Sequence, residues 1–189
     1  MNLTILEQYI DNRIKILNEE KEIIFSNFKQ IEVAKGTILL QKDSVCKYIY
    51  FINKGVLRTY FINKEGYETT RLICFESMFC NSLASFVKQT PSFEYLEALE
   101  DCELLSISYD DFYKLLNVSQ GIERIYRMVL EEVEVLNTWR LESLISLDAK
   151  QRYDMLCKIY PDLVKRVSNK IIASYIAIKP ETLSRIKSK

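Results

Sequence analysis

The segment NKIIASYIAIKPETLSRIKS, from Asn169 to Ser188, decides how the C-terminal part of this chain folds. Its apolar residues recur at helical spacing in two groups, Ile172, Ala173 and Ile176, and then Leu183 and Ile186. Pro180 stands where the first turn of a second helix tolerates a proline. The pattern therefore predicts two short helices joined by a tight turn, which is a helix-turn-helix.

The second predicted helix carries polar side chains of the kinds that bind nucleic acid. Its outward side would present Glu181, Thr182, Ser184, Arg185 and Lys187. Arginine binds guanine through two hydrogen bonds, glutamate accepts one from cytosine, and threonine and lysine bind the phosphate backbone. The segment therefore predicts a helix that enters the major groove of double-stranded DNA. The alternative is a helical hairpin packed on a domain, with its basic side chains merely solvated.

The turn between the two helices has an alanine where glycine is usual. Ala177 occupies a position that commonly needs a positive φ, which is less stable for a residue with a side chain. Ile178, also in the turn, can fill the gap between the helices. The turn therefore remains compatible with a helix-turn-helix.

The composition is that of an ordinary soluble globular protein. The 189 residues are 48% hydrophobic and 28% charged, which suffices for one sizeable core and a smaller unit. The N-terminal segment mixes acids and bases, unlike a signal peptide, and no apolar run approaches the roughly 20 residues of a membrane span. We therefore expect a cytoplasmic protein that does not enter a membrane.

The side chains of common catalytic and metal sites are scarce. The sequence has no histidine, which excludes histidine-based triads and most catalytic zinc sites. Its five cysteines form no C-x-x-C pair, and most are expected to be buried free thiols: Cys46, Cys74, Cys80, Cys102 and Cys157. We therefore predict a protein that is not an enzyme and that needs no metal or cofactor.

The zero net charge conceals an uneven distribution. From Asp148 to Lys189 there are ten Lys and Arg residues against four Asp and Glu, so this fifth of the chain carries +6. The remaining residues hold sixteen basic against twenty-two acidic side chains and carry −6. A basic C-terminal unit on an acidic body favours binding to phosphates through that unit.

The N-terminal and central segments differ in periodicity. Residues 2–29 have a helical pattern that Asn18–Glu20 is expected to interrupt. From Ile31, runs rich in Val, Ile, Tyr, Phe and Thr recur about every ten to twelve residues, with a hairpin loop at Asn63–Gly66 and a short helical piece, NSLASFVK. The pattern predicts an antiparallel sandwich or jelly-roll barrel.

A long amphipathic helix is predicted from about Ser119 to Leu147. One stripe with a period of about 3.6 residues runs through Val118, Ile122, Ile125, Val129, Val133, Leu136, Arg140, Leu144 and Leu147. A second, weaker stripe runs through Tyr126, Leu130, Val135 and Trp139. One stripe would pack on the β-domain and the other on the same helix of a second subunit, so residues 118–147 predict a homodimer contact. The alternative is a helix buried wholly within a monomer.

A hinge is expected where the long helix ends. Asp148 and Gln151 resemble a capping box, which begins a new helix just after Leu147. We therefore divide the chain into a sensor domain (1–117), a dimerisation helix (118–147) and a helix-turn-helix domain (148–189).

The order of these parts resembles the Crp/Fnr family of bacterial transcription regulators. The resemblance is most specific in PETLSRI, Pro180–Ile186, which is similar to the start of that family's recognition helix. It implies an α+β fold with an antiparallel, cyclic-nucleotide-binding-like jelly roll, a long dimerisation helix and a small helix-turn-helix domain. It also implies a homodimer on a palindromic operator, with base contacts from Glu181 and Arg185, a phosphate contact from Thr182, and lesser contacts from Ser184 and Lys187.

The family's cyclic-nucleotide site is not reproduced. Where binding members carry Gly-Glu and Arg-Ser pairs, this sequence has Cys80-Asn81 and Ser92-Phe93. A buried phosphate without a charged partner is disfavoured, so we predict no tight binding of cyclic AMP. The candidates for binding another, unknown small-molecule effector are Arg58, Arg71, Asn81 and Ser92, although the two arginines could instead lie on an exposed face. The clustered N-terminal cysteines of the family's iron–sulfur members are also missing.

Two alternatives to a regulator remain. The sequence ends at Lys189, just past the second helix, which predicts a unit without the wing strands of longer relatives. Together with Ala177, this motivates the alternative of an effector-binding β-roll protein that has lost DNA binding. A cupin-like enzyme would share the jelly roll, but it would need histidines to bind its metal.

Overall fold

The structure is a computed structural model that describes residues 3–188, so the predicted start of the helical pattern at residue 2 lies outside the described residues. The helices are α1 Thr4–Asp11, α2 Asn18–Ser26, α3 Leu83–Lys88, α4 Tyr109–Val118, α5 Gln120–Ser146, α6 Ala149–Ile159, α7 Pro161–Arg166, α8 Asn169–Tyr175 and α9 Pro180–Lys187. The strands are β1 Lys29–Val33, β2 Ile38–Leu40, β3 Tyr48–Lys54, β4 Leu57–Ile62, β5 Glu68–Cys74, β6 Phe79–Cys80, β7 Tyr95–Ala98 and β8 Cys102–Ser108.

The strands form two four-stranded antiparallel sheets that face each other. Their orders are β1-β8-β3-β6 and β2-β7-β4-β5, so, apart from the β4–β5 hairpin, neighbouring strands are not consecutive in the chain. Large apolar side chains from both sheets are fully buried between them, among them Phe51, Leu57, Leu96 and Leu105. The predicted jelly roll is confirmed.

The β4–β5 hairpin forms at the predicted loop. The side-chain oxygen Oδ1 of Asn63 accepts hydrogen bonds from the backbone N–H of Glu65 at 3.0 Å and of Tyr67 at 2.9 Å. Gly66 has a φ of +83°, a conformation that favours glycine. Asparagine and glycine therefore determine this turn for the reasons that the sequence indicated.

The predicted interruption of the N-terminal helices is wrong in position. Asn18 begins α2, and the break between α1 and α2 is formed by residues 12–17. Glu19 and Glu20 lie in the first turn of α2, where carboxylates interact favourably with the helix dipole. Glu20 also accepts hydrogen bonds from the Ser119 hydroxyl at 2.7 Å and from the Gly121 N–H at 2.8 Å. Both glutamates therefore lie at the start of a helix, and Glu20 also binds the beginning of α5.

The long helix has the predicted extent. The Ser119 hydroxyl accepts from the Ile122 N–H at 3.1 Å and caps the start of α5, whose 27 residues span about 40 Å. The helix ends before Leu147, and the capping box between Asp148 and Gln151 then begins α6. The predicted start of a new helix after Leu147 is therefore present, while a hinge at this boundary stays a prediction.

The two predicted stripes of α5 have different outcomes. In the first, Ile122 and Ile125 are buried against the β-roll. The second does not form a single line, because the five-residue step from Leu130 to Val135 turns the helix by about 140°. Tyr126 and Leu130 face a cavity, whereas Val135 and Trp139 are exposed on another side.

The four C-terminal helices form a small second core. Its buried members from these helices include Leu156, Leu163, Ile172 and Leu183, and Val56 and Ile73 of the β-roll complete it. The C-terminal unit is therefore packed on the β-roll and shares a core with it. None of the helices within residues 3–188 combines the length and apolar character that a bilayer crossing needs.

Candidate DNA-binding surface and effector cavity

Helix α8 ends in a tight turn centred on Ala177. The Ile178 N–H donates to the Ala173 carbonyl at 2.9 Å, and the Ala177 N–H donates to the Ser174 carbonyl at 3.3 Å. These two bonds are the pattern of a Schellman C-cap, and Ala177 has the positive φ of +54° that this cap requires. The sequence therefore located the turn correctly, and alanine adopts the conformation that glycine usually supplies.

Helix α9 is anchored by its apolar side. Leu183 is fully buried in a core with Ile172 and Ala173 of α8 and Ile176 at its C-cap, and Ile178 packs on the edge of the same core. The Ser168 hydroxyl accepts from the Ile171 N–H at 3.4 Å and caps the start of α8. The helix-turn-helix geometry predicted from periodicity is therefore present.

The opposite side of α9 is open to solvent. Glu181, Ser184 and Arg185 are exposed, whereas Thr182 is half-buried. Arg185 donates from Nε to the Glu181 carbonyl at 3.4 Å, and no carboxylate within residues 3–188 lies within 4.0 Å of its guanidinium. Lys187 donates from Nζ to Asn169 Oδ1 at 2.8 Å, across the two helices. The five predicted DNA-contacting residues thus lie along one short helix with an unneutralised arginine.

Helix α8 covers the edge of the second β-sheet. The Ser174 hydroxyl accepts from the Thr70 N–H at 2.7 Å and donates to the Glu68 carbonyl at 3.0 Å. Because β5 is the last strand of its sheet, these backbone groups would otherwise lack a partner. One hydroxyl therefore joins the helix-turn-helix to the β-roll.

Arg166 ties α7 to two loops of the β-roll. It donates to both carboxylate oxygens of Glu76, at 2.7 and 2.8 Å, and also pairs with Glu100. These bonds raise the pKa of Arg166. Burial tends to raise the pKa of Glu76, but the bonds from Arg166 and from the Gly55 N–H outweigh it and lower that pKa. The Glu76 carboxylate is therefore held in its charged form.

Arg140 of α5 lies at the junction of the long helix, the β-roll and α8. Its Nη2 donates to the Thr70 and Tyr175 carbonyls, both at 3.0 Å. The guanidinium also lies over the Tyr175 ring, 5.0 Å from its centroid. In the sequence Arg140 falls within an apolar stripe, and nothing there predicts this role because both of its acceptors are distant backbone carbonyls.

A cavity lies between the β-roll and α5, and we call it the effector cavity. It is partly open to solvent and has a volume of about 100 Å³. The polar residues on its walls are Arg71, Asn81 and Asn137. The other wall residues are largely apolar: Phe28, Ile49, Leu72, Phe79, Leu83, Ile107, Phe112, Ile122, Ile125, Tyr126, Val129, Leu130 and Val133. A mostly apolar lining with a few polar groups is typical of a small-molecule site.

Two of the four predicted effector residues line this cavity. Arg71 and Asn81 are on its wall, but Arg71 donates from Nη2 to Glu94 at 3.2 Å and pairs with it through Nε as well. Glu94 is therefore a counter-charge to Arg71 that was not predicted from the sequence. The two residues are 23 positions apart, and no sequence pattern indicates that they pair.

The other two predicted effector residues have structural partners. Arg58 is 4% exposed, donates to Glu97 and Glu68, both at 2.8 Å, and stacks on Tyr60. The expectation that Arg58 could lie on an exposed face is therefore wrong. The buried Ser92 hydroxyl bonds to the Ser82 hydroxyl at 3.1 Å and to the backbone of Glu94. Neither residue lines the effector cavity.

The cysteines behave as packed thiols. Cys46, Cys74, Cys80 and Cys102 are buried, as predicted, and Cys157 is half-buried. Burial raises the pKa of the Cys46 and Cys102 thiols, so both stay protonated near neutral pH. In the part of the chain that the structure describes, no group of three or more Cys, Asp or Glu side chains is arranged to hold a metal ion.

Comparison with known proteins identifies the class of fold. Residues 30–119 match the family model of the cyclic nucleotide-binding domain. The c-di-GMP-responsive global regulator CLP of Xanthomonas campestris is similar, with a TM-score of 0.71 and 18% identity over 90% of this chain and 89% of that chain. A transcriptional regulator of the Crp/Fnr family from Eubacterium rectale has a TM-score of 0.72 and 20% identity over 95% of this chain and 85% of that chain.

A third similar structure is FixK2 of Bradyrhizobium japonicum, with a TM-score of 0.71 and 14% identity over 85% of this chain and 83% of that chain. Curated protein sequences give no significant match. Residues 30–119 thus form a β-roll of the cyclic nucleotide-binding type. Over nearly its whole length the chain has the fold of the Crp/Fnr transcription regulators, with the β-roll followed by a long helix and further C-terminal helices.

Proposed function

We propose that the protein is a homodimeric transcription regulator of the Crp/Fnr type that reads a palindromic operator with Glu181 and Arg185 of α9. The observation that carries the proposal is the division of α9 into a buried and an exposed side. Leu183 anchors the helix, while Glu181, Ser184 and Arg185 remain free to contact base edges. Among residues 3–188 no carboxylate lies within 4.0 Å of the Arg185 guanidinium, so binding to guanine would break no ion pair with them.

The cap at Ala177 supports a rigid recognition unit. A helix-turn-helix reads DNA only when the second helix has a fixed angle to the first. Here the two hydrogen bonds of the Schellman turn and the buried side chain of Leu183 set that angle. The absence of glycine is therefore no argument against DNA binding.

A dimer is supported by apolar side chains that α5 leaves in solvent. Leu141 is 60% and Ile145 is 78% exposed, and the two lie one turn apart. Leu130 and Asn137 continue the same side of the helix toward its start, because steps of seven and four residues nearly complete whole turns. We call Leu130, Asn137, Leu141 and Ile145 the dimer seam. Pairing of two seams would remove this apolar surface from water.

The effector is proposed not to be cyclic AMP. The one arginine on the cavity wall, Arg71, is already neutralised by Glu94. A phosphate placed there would meet the Glu94 carboxylate as well as the guanidinium, and like charges at short range are unfavourable. Calorimetry with cyclic AMP and cyclic GMP tests this proposal. A micromolar dissociation constant for either would contradict it.

Selection of bound fragments from a genomic DNA library tests the proposed function. We expect enrichment of a sequence with two inverted half-sites whose centres lie about 34 Å apart, one turn of B-DNA. Fluorescence anisotropy on the enriched site then gives the affinity against competitor DNA. If no fragment is preferred over the competitor, the alternative of an effector-binding β-roll without DNA binding is favoured instead.

A further inference from the structure

A smaller cavity adjoins the effector cavity on the side of the C-terminal unit, and Arg71, Leu72 and Asn137 line both. The smaller cavity is further lined by Arg140, Tyr160 and Tyr175, which do not line the first. A ligand that fills the apolar part could therefore extend one helical turn along α5 to Arg140.

The guanidinium of Arg140 carries a charge that the protein does not neutralise. No carboxylate within the described residues 3–188 lies within 4.0 Å of it, and its two bonds from Nη2 go to uncharged carbonyls. Its Nε is buried and has no hydrogen-bond partner. Burial lowers the pKa of Arg140, and the nearby Arg71 charge lowers it further, against an opposing effect of Tyr175. A partly buried cation with a free donor favours an anion as its missing partner.

The two arginines at this junction differ in their partners. Glu94 neutralises Arg71 through two contacts, so Arg71 adds polarity but little net charge to the cavity wall. The net charge available to a ligand is therefore that of Arg140. The rest of the wall is apolar, which suits a hydrocarbon or aromatic body rather than a sugar or a nucleobase with many polar groups.

We infer that the effector is an organic acid with an apolar body, which occupies the effector cavity and places its carboxylate against Arg140. The inference deepens the proposed function, since it names the chemical class of the effector for the same cavity. Arg140 also touches β5 and α8. A carboxylate bound there would compete for a guanidinium that joins the sensor domain to the recognition unit, which gives the ligand a route to DNA affinity.

Calorimetry on the full chain, without DNA, tests the inference. Decanoate is the acid probe and decanol is the neutral probe of the same length. We expect decanoate to bind about ten- to a hundredfold more tightly, the usual effect of a hydrogen bond to a charged group. Phenylacetate and naphthoate extend the panel to aromatic bodies. Equal affinities for decanoate and decanol, or no binding of any of the three acids, would overturn the inference.

Variants of Arg140 separate ligand binding from a purely structural role. Arg140→Gln should reduce decanoate affinity to that of decanol and leave decanol unchanged, while Arg140→Lys should keep most of the preference for the acid. Arg124→Gln, which removes an exposed arginine from the same helix, should change neither. Equal losses for acid and alcohol in Arg140→Gln would mean that the residue only holds the domains together, and would overturn the inference.

A second variant keeps the inference testable if Arg140→Gln folds poorly. Leu83 lines the effector cavity from α3, and Leu83→Trp should fill it and abolish binding of both probes at an unchanged melting temperature. Retention of decanoate binding in this variant would place the acid elsewhere and contradict the inference. Because the assay contains no DNA, its failure leaves the proposed DNA binding untouched, and a failed operator selection would not affect the measured ligand binding.

Discussion

The two halves of α5 differ in where their apolar side chains lie. Near its start, Ile122 and Ile125 are buried against the β-roll and belong to the main core. Near its end, Leu141 and Ile145 are mostly in solvent. The same helix thus packs into the main core near its start and leaves apolar side chains exposed near its end. An apolar stripe on a helix therefore does not by itself show which of its residues pack inside the monomer and which stay exposed.

The largest expected effect comes from the buried half. Ile125→Ala should lower the free energy of unfolding by about 2–5 kcal/mol, because it removes buried methylene groups and leaves a cavity. Ile125 is 1% exposed, so the groups that the substitution removes are part of the core. Urea denaturation followed by circular dichroism measures the change. Val135→Ala, at an exposed position of the same helix, is the control and should stay within about 0.5 kcal/mol.

The exposed half should govern association instead of folding. The double variant Leu141→Glu and Ile145→Glu should raise the dissociation constant of the dimer by about a hundredfold or more, since two apolar side chains leave the interface and charges enter it. Analytical ultracentrifugation measures the constant. Val135→Glu, exposed on another side of α5, should leave the dimer intact. If the double variant has the same dimer dissociation constant as the original protein, the exposed residues near the end of α5 do not form the dimer contact.

Recognition of DNA should depend on neither half of α5 directly. Arg185→Ala should cost about 1–3 kcal/mol of specific binding and relax the preference at one base position, because a bidentate contact to guanine is lost. Anisotropy titrations on the selected operator and its single-base variants measure both effects. Arg124→Ala is the matched control on α5. If the base preference survives in Arg185→Ala, another residue of α9 reads that position.

The contact between α8 and β5 should add a smaller amount to the stability of the docked unit. Ser174→Ala leaves the Thr70 N–H and the Glu68 carbonyl without their partner, at a cost of about 1–3 kcal/mol. Hydrogen exchange should show faster exchange at the Thr70 amide. Ser184→Ala, on the exposed side of α9, should leave that amide protected. Unchanged protection in Ser174→Ala would mean that the hydroxyl does not hold this edge.

The smallest effect is expected from pH. The folded pKa of Glu76 lies below its usual 4.5, so its ion pair with Arg166 contributes stability above that value. The contribution should decline as the pH falls below about 4.5 and disappear below the lowered pKa. Both side chains are about one-third exposed, so the effect is modest. In thermal melts from pH 6 down to pH 3, the melting temperature of Glu76→Gln should fall less steeply than that of the original protein. An identical pH dependence would contradict this assignment.

Local patterns accounted for much of the architecture. Helical spacing predicted α5, α8 and α9, and residues with special conformations located the hairpin at Asn63–Gly66 and the turn at Ala177. The errors arose where one pattern allowed two outcomes. Asn18–Glu20 could break a helix or begin one, and the second stripe of α5 ignored a five-residue step.

By itself, the sequence determined the order of the elements, an antiparallel β-domain, the helix-turn-helix and the polar side of α9. These follow from periodicity, caps and turns, which act between residues close together in the chain. Only the tertiary structure decided which charges are neutralised. Arg140 bonds to carbonyls 70 and 35 residues away, and Arg166 reaches Glu76 across 90 residues. Such contacts exist only once the chain has folded, because no periodicity brings two distant segments to the same place.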